Sequence, residues 1–266
     1  MNKPNTVYRS DLQPVVGSWA RGFRSIYRKE LAYWFNTQRW ISQLIIWIGL
    51  GALSPIMMIM SNPDAGKDRG VAVLTLFLWS GSNMMSIGTV LLAQGTIVEE
   101  KLAQTCLWIF SKPLSPTGFI LAKFAAYAVC IALLVIGAPS IVVYIAAMLI
   151  GLPAQISLFN YLAGVWMVYL VLLFVLALTI LMGVLFDRQA TVTASALSIF
   201  FIGSTLQSNA NLRWIEPYSV WALQHNSHET MIGQFPLVAG VAMVNTVILI
   251  VLFLAISIGR MKRYEF

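Results

Sequence analysis

Residues 94–116, QGTIVEEKLAQTCLWIFSKPLSP, form a charged segment between two long apolar stretches of the chain. The first part of this segment can form a helix, but Glu99, Glu100 and Lys101 would be costly in the interior of a lipid bilayer. We therefore expect the helix to lie at the boundary between membrane and water. Apolar side chains such as Trp108 should face the membrane, and the charged side chains should point outward.

The composition of the whole chain is that of an integral membrane protein. Its 266 residues are 59% hydrophobic and 10% charged, and the mean hydropathy is +0.78, whereas soluble domains carry about 25% charged residues. Apolar runs longer than about 18 residues indicate helices, not the short alternating strands of a membrane barrel. We expect an all-α fold. Cys106 and Cys130 fall on either side of a predicted membrane boundary, which argues against a disulfide.

Hydropathy and turn signals predict six transmembrane helices in one domain. Ser115 and Pro116 are typical of the start of a helix, and Pro139 should kink the helix that follows. The predicted spans are residues 40–60, 71–94, 115–150, 161–186, 190–207 and 237–259. The remaining segments are a tail with a connecting helix (1–39), a cytoplasmic coupling loop with a short helix (95–114) and an outer segment (208–236).

Basic residues are concentrated on one side of the predicted membrane. Six spans place both termini on the same side, and that side holds 14 of the 17 Lys and Arg residues. The other side holds Lys67, Arg69 and Arg213. The positive-inside rule therefore predicts that both termini are cytoplasmic. We expect a multi-pass protein of the plasma (inner) membrane. The same asymmetry explains the net charge of +7 without a nucleic-acid partner.

Residues 19–34 predict an amphipathic helix at the membrane surface. Trp19, Ile26 and Trp34 recur at helical spacing on one face, and arginines occupy the opposite face. We expect the aromatic face to enter the lipid headgroup region. Glu30 falls at the centre of the apolar stripe, where a carboxylate is costly unless it is paired. It either snorkels or pairs with an arginine of its own helix, or it contacts a cation of the coupling loop or of a partner.

The charged segment resembles the first cytoplasmic loop of ABC-2 type permeases, the membrane subunits of one class of ABC transporter. In that family a short helix with acidic residues and a Thr precedes a Ser-x-Pro turn, which opens the next spanning helix. Glu99 or Glu100 matches the acidic position and Thr105 matches the Thr. Ser111 and Pro113 match the Ser-x-Pro turn.

Two other parts of the chain extend the resemblance. Residues 28–31, RKEL, resemble the Lys-Glu-Leu of the family's connecting helix, and Lys123 matches a Lys in the first turns of the next span. Gln104 departs from the pattern because Gly is usual at that position. The resemblance covers the whole chain in topology, but only residues 19–39 and 94–124 in motif.

This resemblance implies the permease subunit of an ATP-driven exporter. The permease would form a homodimer or pair with a similar permease, and separate ATP-binding subunits would hold ATP and Mg. The chain lacks the phosphate-binding pattern G-x-x-x-x-G-K-S/T, so it is expected to be neither an enzyme nor the holder of a cofactor. The ATPase-coupling residues would be Glu30, Glu99, Glu100, Lys101, Thr105, Trp108 and Pro113.

Small and polar residues follow one face of the second and of the fifth predicted span. They are Asn83, Ser86, Thr191, Ser195, Ser198 and Thr205. Such faces usually serve helix packing, but in the family they would line a translocation path between two permeases. No span carries a charged residue near its middle, which argues against an ion-coupled secondary carrier. A membrane scaffold or assembly factor without transport activity is the other alternative.

The outer segment contains the two histidines of the chain. His225, His228 and Glu229 have a spacing that could offer one face to a metal ion. Histidines in a polar loop are more often solvated, and no metal site is predicted. Trp214 and Tyr218 suit a membrane–water interface, and the resemblance implies short outer helices that re-enter the membrane.

Overall fold

The computed structural model describes residues 22–61, 69–103, 115–151, 156–207 and 216–263. Within these ranges the chain is helical and contains no strand. The helices are α1 (Phe23–Phe35), α2 (Arg39–Met60), α3 (Arg69–Leu102), α4 (Pro116–Gly151), α5 (Leu158–Leu185), α6 (Gln189–Gln207), α7 (Trp221–Met231) and α8 (Leu237–Lys262). A short 3-10 turn, Glu216–Tyr218, precedes α7.

Five of these helices are long and apolar enough to cross a membrane: α2, α3, α4, α5 and α8. The prediction of a helical membrane protein is therefore confirmed. The fifth predicted span corresponds to α6, a helix of 19 residues that is not one of the five. That α6 also crosses the membrane stays a prediction, and so does the placement of both termini on one side.

Helix α5 forms the centre of the bundle. Apolar residues occupy all of its faces, which is the pattern of a helix surrounded by protein. Of the 18 consecutive residues that are most apolar, 83% are buried. Helices α3, α6, α7 and α8 pack against it. Near its start, the Tyr161 hydroxyl donates a hydrogen bond of 2.9 Å to the Ser140 carbonyl of α4. The other helices are thus arranged around α5.

Helix α3 is longer than a membrane is thick. Its 34 residues correspond to about 51 Å, against about 30 Å for the hydrocarbon core of a bilayer. The charged segment Gly95–Leu102 follows Ala93 with one residue, Gln94, between them. We expected a separate short helix within residues 95–114. That expectation is wrong for residues 95–102, which continue α3. Residues 104–114, with Thr105, Trp108 and Pro113, lie outside the described residues.

The start of α4 agrees with the sequence prediction, and the helix is irregular just before Pro139, where a kink was predicted. Ser115 Oγ accepts a hydrogen bond of 3.0 Å from the Gly118 backbone N–H, and Pro116 is the first helical residue. The stretch Ile131–Gly137 is π-helical and lies just before Pro139. Because proline lacks an N–H and its ring crowds the preceding turn, the helix widens there.

Helix α1 packs the centre of its apolar face on α4. Ile26, Glu30 and Trp34 are buried, and the Trp34 ring meets the Tyr127 ring edge-on with 5.7 Å between the ring centroids. The arginines of α1 are exposed. The amphipathic pattern was predicted correctly, but the expected insertion of this stripe among lipid headgroups is wrong, because α4 covers it. Trp19 lies outside the described residues.

Two tryptophan rings rest on glycines of neighbouring helices. Trp47 of α2 covers Gly88 of α3, where an added Cβ would lie 1.8 Å from a ring atom. Trp221 of α7 covers Gly203 of α6 in the same way, at 1.9 Å. The missing side chains therefore let two pairs of helices approach closely, as small residues do between helices in membranes.

Replacing Gly88 by Ala will destabilise the contact between α2 and α3, because the new methyl group overlaps the Trp47 ring. We expect a loss of about 1–3 kcal/mol, the usual cost of overpacking, measured as a lower midpoint of thermal unfolding in detergent. Gly49→Ala is the matched control, since a Cβ at Gly49 would have no neighbour within 4 Å. Equal midpoints for the two variants would contradict the contact.

Candidate functional site

A buried ammonium group lies at the centre of the site. The side chain of Lys123, in α4, is 2% exposed, and its Nζ lies 2.7 Å from Glu30 Oε1 of α1. The same Nζ lies 3.1 Å from Glu100 Oε1 of α3. The Phe119 ring centroid is 5.2 Å away, a distance at which an aromatic face attracts a cation. One cation thus joins three helices.

Glu30 has a partner that the sequence did not identify. Within the residues that the structure describes, its cation is Lys123 of α4, and not an arginine of α1 or Lys101. Glu30 lies on the buried face of α1 between Ile26 and Trp34. A carboxylate buried there would carry a large desolvation penalty without a cation. The ion pair is therefore a condition for packing α1 on α4.

Glu100 forms ion pairs with two ammonium groups. Its Oε1 lies 3.2 Å from Lys29 Nζ and 3.1 Å from Lys123 Nζ. The Glu100 side chain is 12% exposed, whereas that of Lys29 is 63% exposed. Two carboxylates and two ammonium groups therefore balance in this cluster. The expectation that Glu100 points outward is wrong, since its carboxylate is turned toward α1 and α4.

Lys101 also turns into the protein, toward the end of α5. Its Nζ donates hydrogen bonds to the carbonyl oxygens of Val184, at 2.7 Å, and Phe186, at 3.3 Å. It also lies 3.1 Å from Asp187 Oδ1. The last carbonyls of a helix lack partners within the helix and carry negative partial charge, so a cation there is stabilising. The outward direction expected for Lys101 is therefore wrong.

Glu99 and Gln94 bind helix α6. Glu99 Oε1 accepts a hydrogen bond of 3.1 Å from Gln189 Nε2, and the Thr193 hydroxyl donates a hydrogen bond to Gln94 Oε1. Glu99 is exposed, as expected. Successive residues of a helix point in directions about 100° apart. The three consecutive charged residues consequently reach different neighbours: α6, the pair α1 and α4, and the end of α5.

This arrangement could not be found by sequence reasoning. The carboxylate of Glu30 and its cation are separated by 93 residues, and Lys101 and the Val184 carbonyl by 83. The available signal was weaker: a charged residue placed on an otherwise apolar helix face requires a partner. That signal identified Glu30 as unusual, whereas Lys123 was noted only through the family resemblance, and nothing in the sequence indicated that the two meet.

The six residues predicted to line a path do not form one open surface within the chain. Ser86 is fully buried, and its hydroxyl bonds to a carbonyl of its own helix at 2.8 Å, so it serves packing inside this chain. Thr191, Ser198 and Thr205 follow one another at intervals of seven residues and are exposed on α6. The remaining two of the six residues, Asn83 and Ser195, are half-buried.

The histidines of the outer segment belong to a helix of the bundle. His228 Nδ1 lies 3.1 Å from Thr75 Oγ1 of α3, whereas His225 is exposed. In the part of the chain that the structure describes, no three potential metal ligands come together. Helix α7 packs on α5 with several polar side chains buried: Gln224, Asn226, Ser227 and Thr230.

Replacing Lys123 by Met will leave the buried Glu30 carboxylate without a cation. We expect the free energy of unfolding to fall by about 3–5 kcal/mol, the usual cost of removing one partner of a buried pair, measured by thermal or denaturant unfolding in detergent. The double variant Lys123→Met with Glu30→Gln should recover part of this loss. Strict additivity of the two single effects would contradict a direct interaction.

Comparisons with known proteins relate this geometry to a family. A family model described as "ABC-2 family transporter protein" matches residues 40–224. The match covers more than half of the chain and includes helix α3 with its charged end, as well as Lys123. A comparison with curated proteins finds no similar sequence.

Proposed function

The chain belongs to the ABC-2 transporter family, and we propose that it is the permease subunit of an ATP-driven exporter. It is a multi-pass membrane protein with five helices suited to crossing a bilayer. ATP and Mg would be bound by separate ATP-binding subunits. The permease would act as a dimer, with itself or with a similar permease, in the plasma (inner) membrane with both termini in the cytoplasm.

The observation that carries this proposal is the set of contacts at the charged end of α3. Glu99, Glu100 and Lys101 bind α6, α1 with α4, and the end of α5, respectively. A displacement of this end of α3 therefore acts on several helices at once. A subunit driven from outside the membrane by an ATPase requires such a junction.

The ATPase would dock on the loop that follows α3. Residues 104–114 come directly after this helix, and we assign Thr105, Trp108 and Pro113 of that loop to the contact with the ATPase. An aromatic side chain such as Trp108 would supply contact energy, and the exposed Glu99 would help to set orientation. Glu30, Glu100 and Lys101 would act inside the permease by passing the displacement on.

Transport would follow from movement of the helices joined at this junction. Binding of ATP would close the two ATPases and shift the end of α3. Because helices are stiff along their axes, the shift would tilt α3 and, through the Lys123 cluster, α1 and α4. The exposed hydroxyl-bearing face of α6, with Thr191, Ser198 and Thr205, would line the path between two permeases, with Asn83 and Ser195 nearby.

Co-purification tests the partnership directly. The permease, extracted from its native membrane in mild detergent, should bring with it an ATPase that carries a phosphate-binding P-loop, identified by mass spectrometry. A preparation without an ATPase after gentle crosslinking would favour the scaffold alternative. Transport that continues without ATP and follows an ion gradient would favour the secondary carrier.

Variants at the end of α3 test the coupling role in the complex with that ATPase. Glu100→Gln and Lys101→Met should each reduce the permease-dependent stimulation of ATP hydrolysis by about 2- to 30-fold, because coupling residues typically contribute about 0.5–2 kcal/mol. The measurement is the ATPase rate of the complex relative to that of the isolated ATPase.

The control is Glu229→Gln, which removes a carboxylate from α7, away from this junction. Each variant must still co-purify with the ATPase and keep its thermal midpoint close to that of the wild type. Normal stimulation in both α3 variants under these conditions would contradict the coupling role while leaving the family assignment unaffected.

A further inference from the structure

A cleft of about 590 Å³ opens beside the Lys123 cluster. Its walls come from α1, the start of α2, the end of α3 and the first turns of α4, and Gln189 of α6 closes one side. Ligand sites in proteins typically have volumes of about 300–1,000 Å³. The cleft is therefore large enough for a ligand of the size of a lipid headgroup.

The cleft lies at the ends of the first two apolar helices, where we expect the membrane to meet the water. Its lining includes Ser42 and Gln43 near the start of the first span, and Leu91 and Leu92 near the end of the second. Leu91 is 51% exposed, as expected for a side chain that faces lipid. The charged lining residues come from the ends of the same apolar helices, so the cleft has a polar end and an apolar end.

Among the described residues that line the cleft, six are charged, and four of them pair with one another. Lys29, Lys123, Glu30 and Glu100 form the ionic cluster. The two others are Arg39 and Glu99.

Arg39 and Glu99 make no ion pair with any residue that the structure describes. The Arg39 guanidinium carbon lies 4.0 Å from the centroid of the Tyr33 ring, an arrangement that holds the group in place and leaves its N–H edge available. Glu99 accepts a hydrogen bond from Gln189, whose amide is neutral and cannot compensate the charge of a carboxylate. Within the described part of the chain, the cleft thus presents a cation on α2 and an anion on α3 that have no ion-pair partner.

We propose that this cleft binds a zwitterionic phospholipid whose headgroup ends in a primary ammonium, as in phosphatidylethanolamine. The phosphate would bind the guanidinium of Arg39, whose planar donors suit phosphate oxygens. The ammonium would donate charge-assisted hydrogen bonds to Glu99, and the acyl chains would leave past Leu91. A quaternary ammonium lacks N–H donors, so phosphatidylcholine would bind less tightly. The permease alone forms this lipid site, which therefore does not require the ATPase. Because Glu99 also belongs to the proposed docking contact, a lipid headgroup on Glu99 and the ATPase would exclude each other there.

The test uses the purified permease, freed of lipid, in detergent. Native mass spectrometry measures the affinity for phosphatidylethanolamine, phosphatidylcholine and phosphatidylglycerol with identical acyl chains. The wild type should bind phosphatidylethanolamine about tenfold more tightly than either of the other two, because a charge-assisted hydrogen bond is lost with each.

Two variants assign the headgroup contacts separately. Arg39→Gln should weaken all three lipids by about tenfold, since all three contain a phosphate. Glu99→Gln should weaken only phosphatidylethanolamine, to the level of the other two. Arg24→Gln and Glu229→Gln are the controls, because they remove charges outside the cleft and should leave all three affinities unchanged.

Three results would overturn the proposal. Phosphatidylglycerol bound as tightly as phosphatidylethanolamine, with no effect of Glu99→Gln, would indicate an anionic-lipid site. If soluble glycerophosphoethanolamine displaced bound phosphatidylethanolamine as effectively as the lipid itself does, the site would bind a water-soluble ligand. Equal retention of all lipids by the wild type would indicate unspecific lipid around the helices. This last comparison needs no variant, so it decides the question even if Arg39→Gln impairs folding.

Discussion

The Lys123 ammonium determines how three helices meet at one end of the molecule. A buried ion pair contributes little net stability, but a buried charge without its partner is strongly destabilising. Helix α1 can cover its apolar side chains only in the register that brings Glu30 to Lys123, and α3 must bring Glu100 to the same atom. The cluster therefore selects one arrangement among the many that apolar contact alone would allow between these helices.

The continuity of α3 gives this cluster its mechanical significance. A charged helix separated from the second span by a flexible joint could move without affecting the membrane part. Here the charged end continues the span after Gln94, and Gln94 is itself bonded to Thr193 of α6. The side chains of Glu100 and Lys101 then connect the end of this long helix to α1, α4 and α5. A displacement of the chain that follows Leu102 is consequently a displacement of α3 and of the helices bound to it.

The sequence predicted those features that depend on local patterns. Apolar runs predicted the spans that correspond to α2–α5 and α8. Ser115 predicted the start of α4, and Pro139 indicated that this helix would be irregular. The contacts of Glu30, Glu100 and Lys101 depend on which helices pack together, and periodicity contains no such information. The charges were expected to face water because α3 was considered alone. Helix α6 stays ambiguous as a span because its hydroxyl-bearing residues suit either a crossing or a packed helix.

The inward direction of these charges changes which residues can recognise an ATPase. Glu100 and Lys101 are occupied within the chain, so they cannot also supply ion pairs to a partner without breaking the bonds that would transmit its movement. Recognition would then fall to the exposed Glu99, to residues 104–114 and to the exposed arginines of α1, such as Arg24. Since α1 is tied to α3 through Glu30, Lys123 and Glu100, a partner that contacts both α1 and the loop would hold one connected unit. Specificity and force transmission would then depend on different side chains of the same junction.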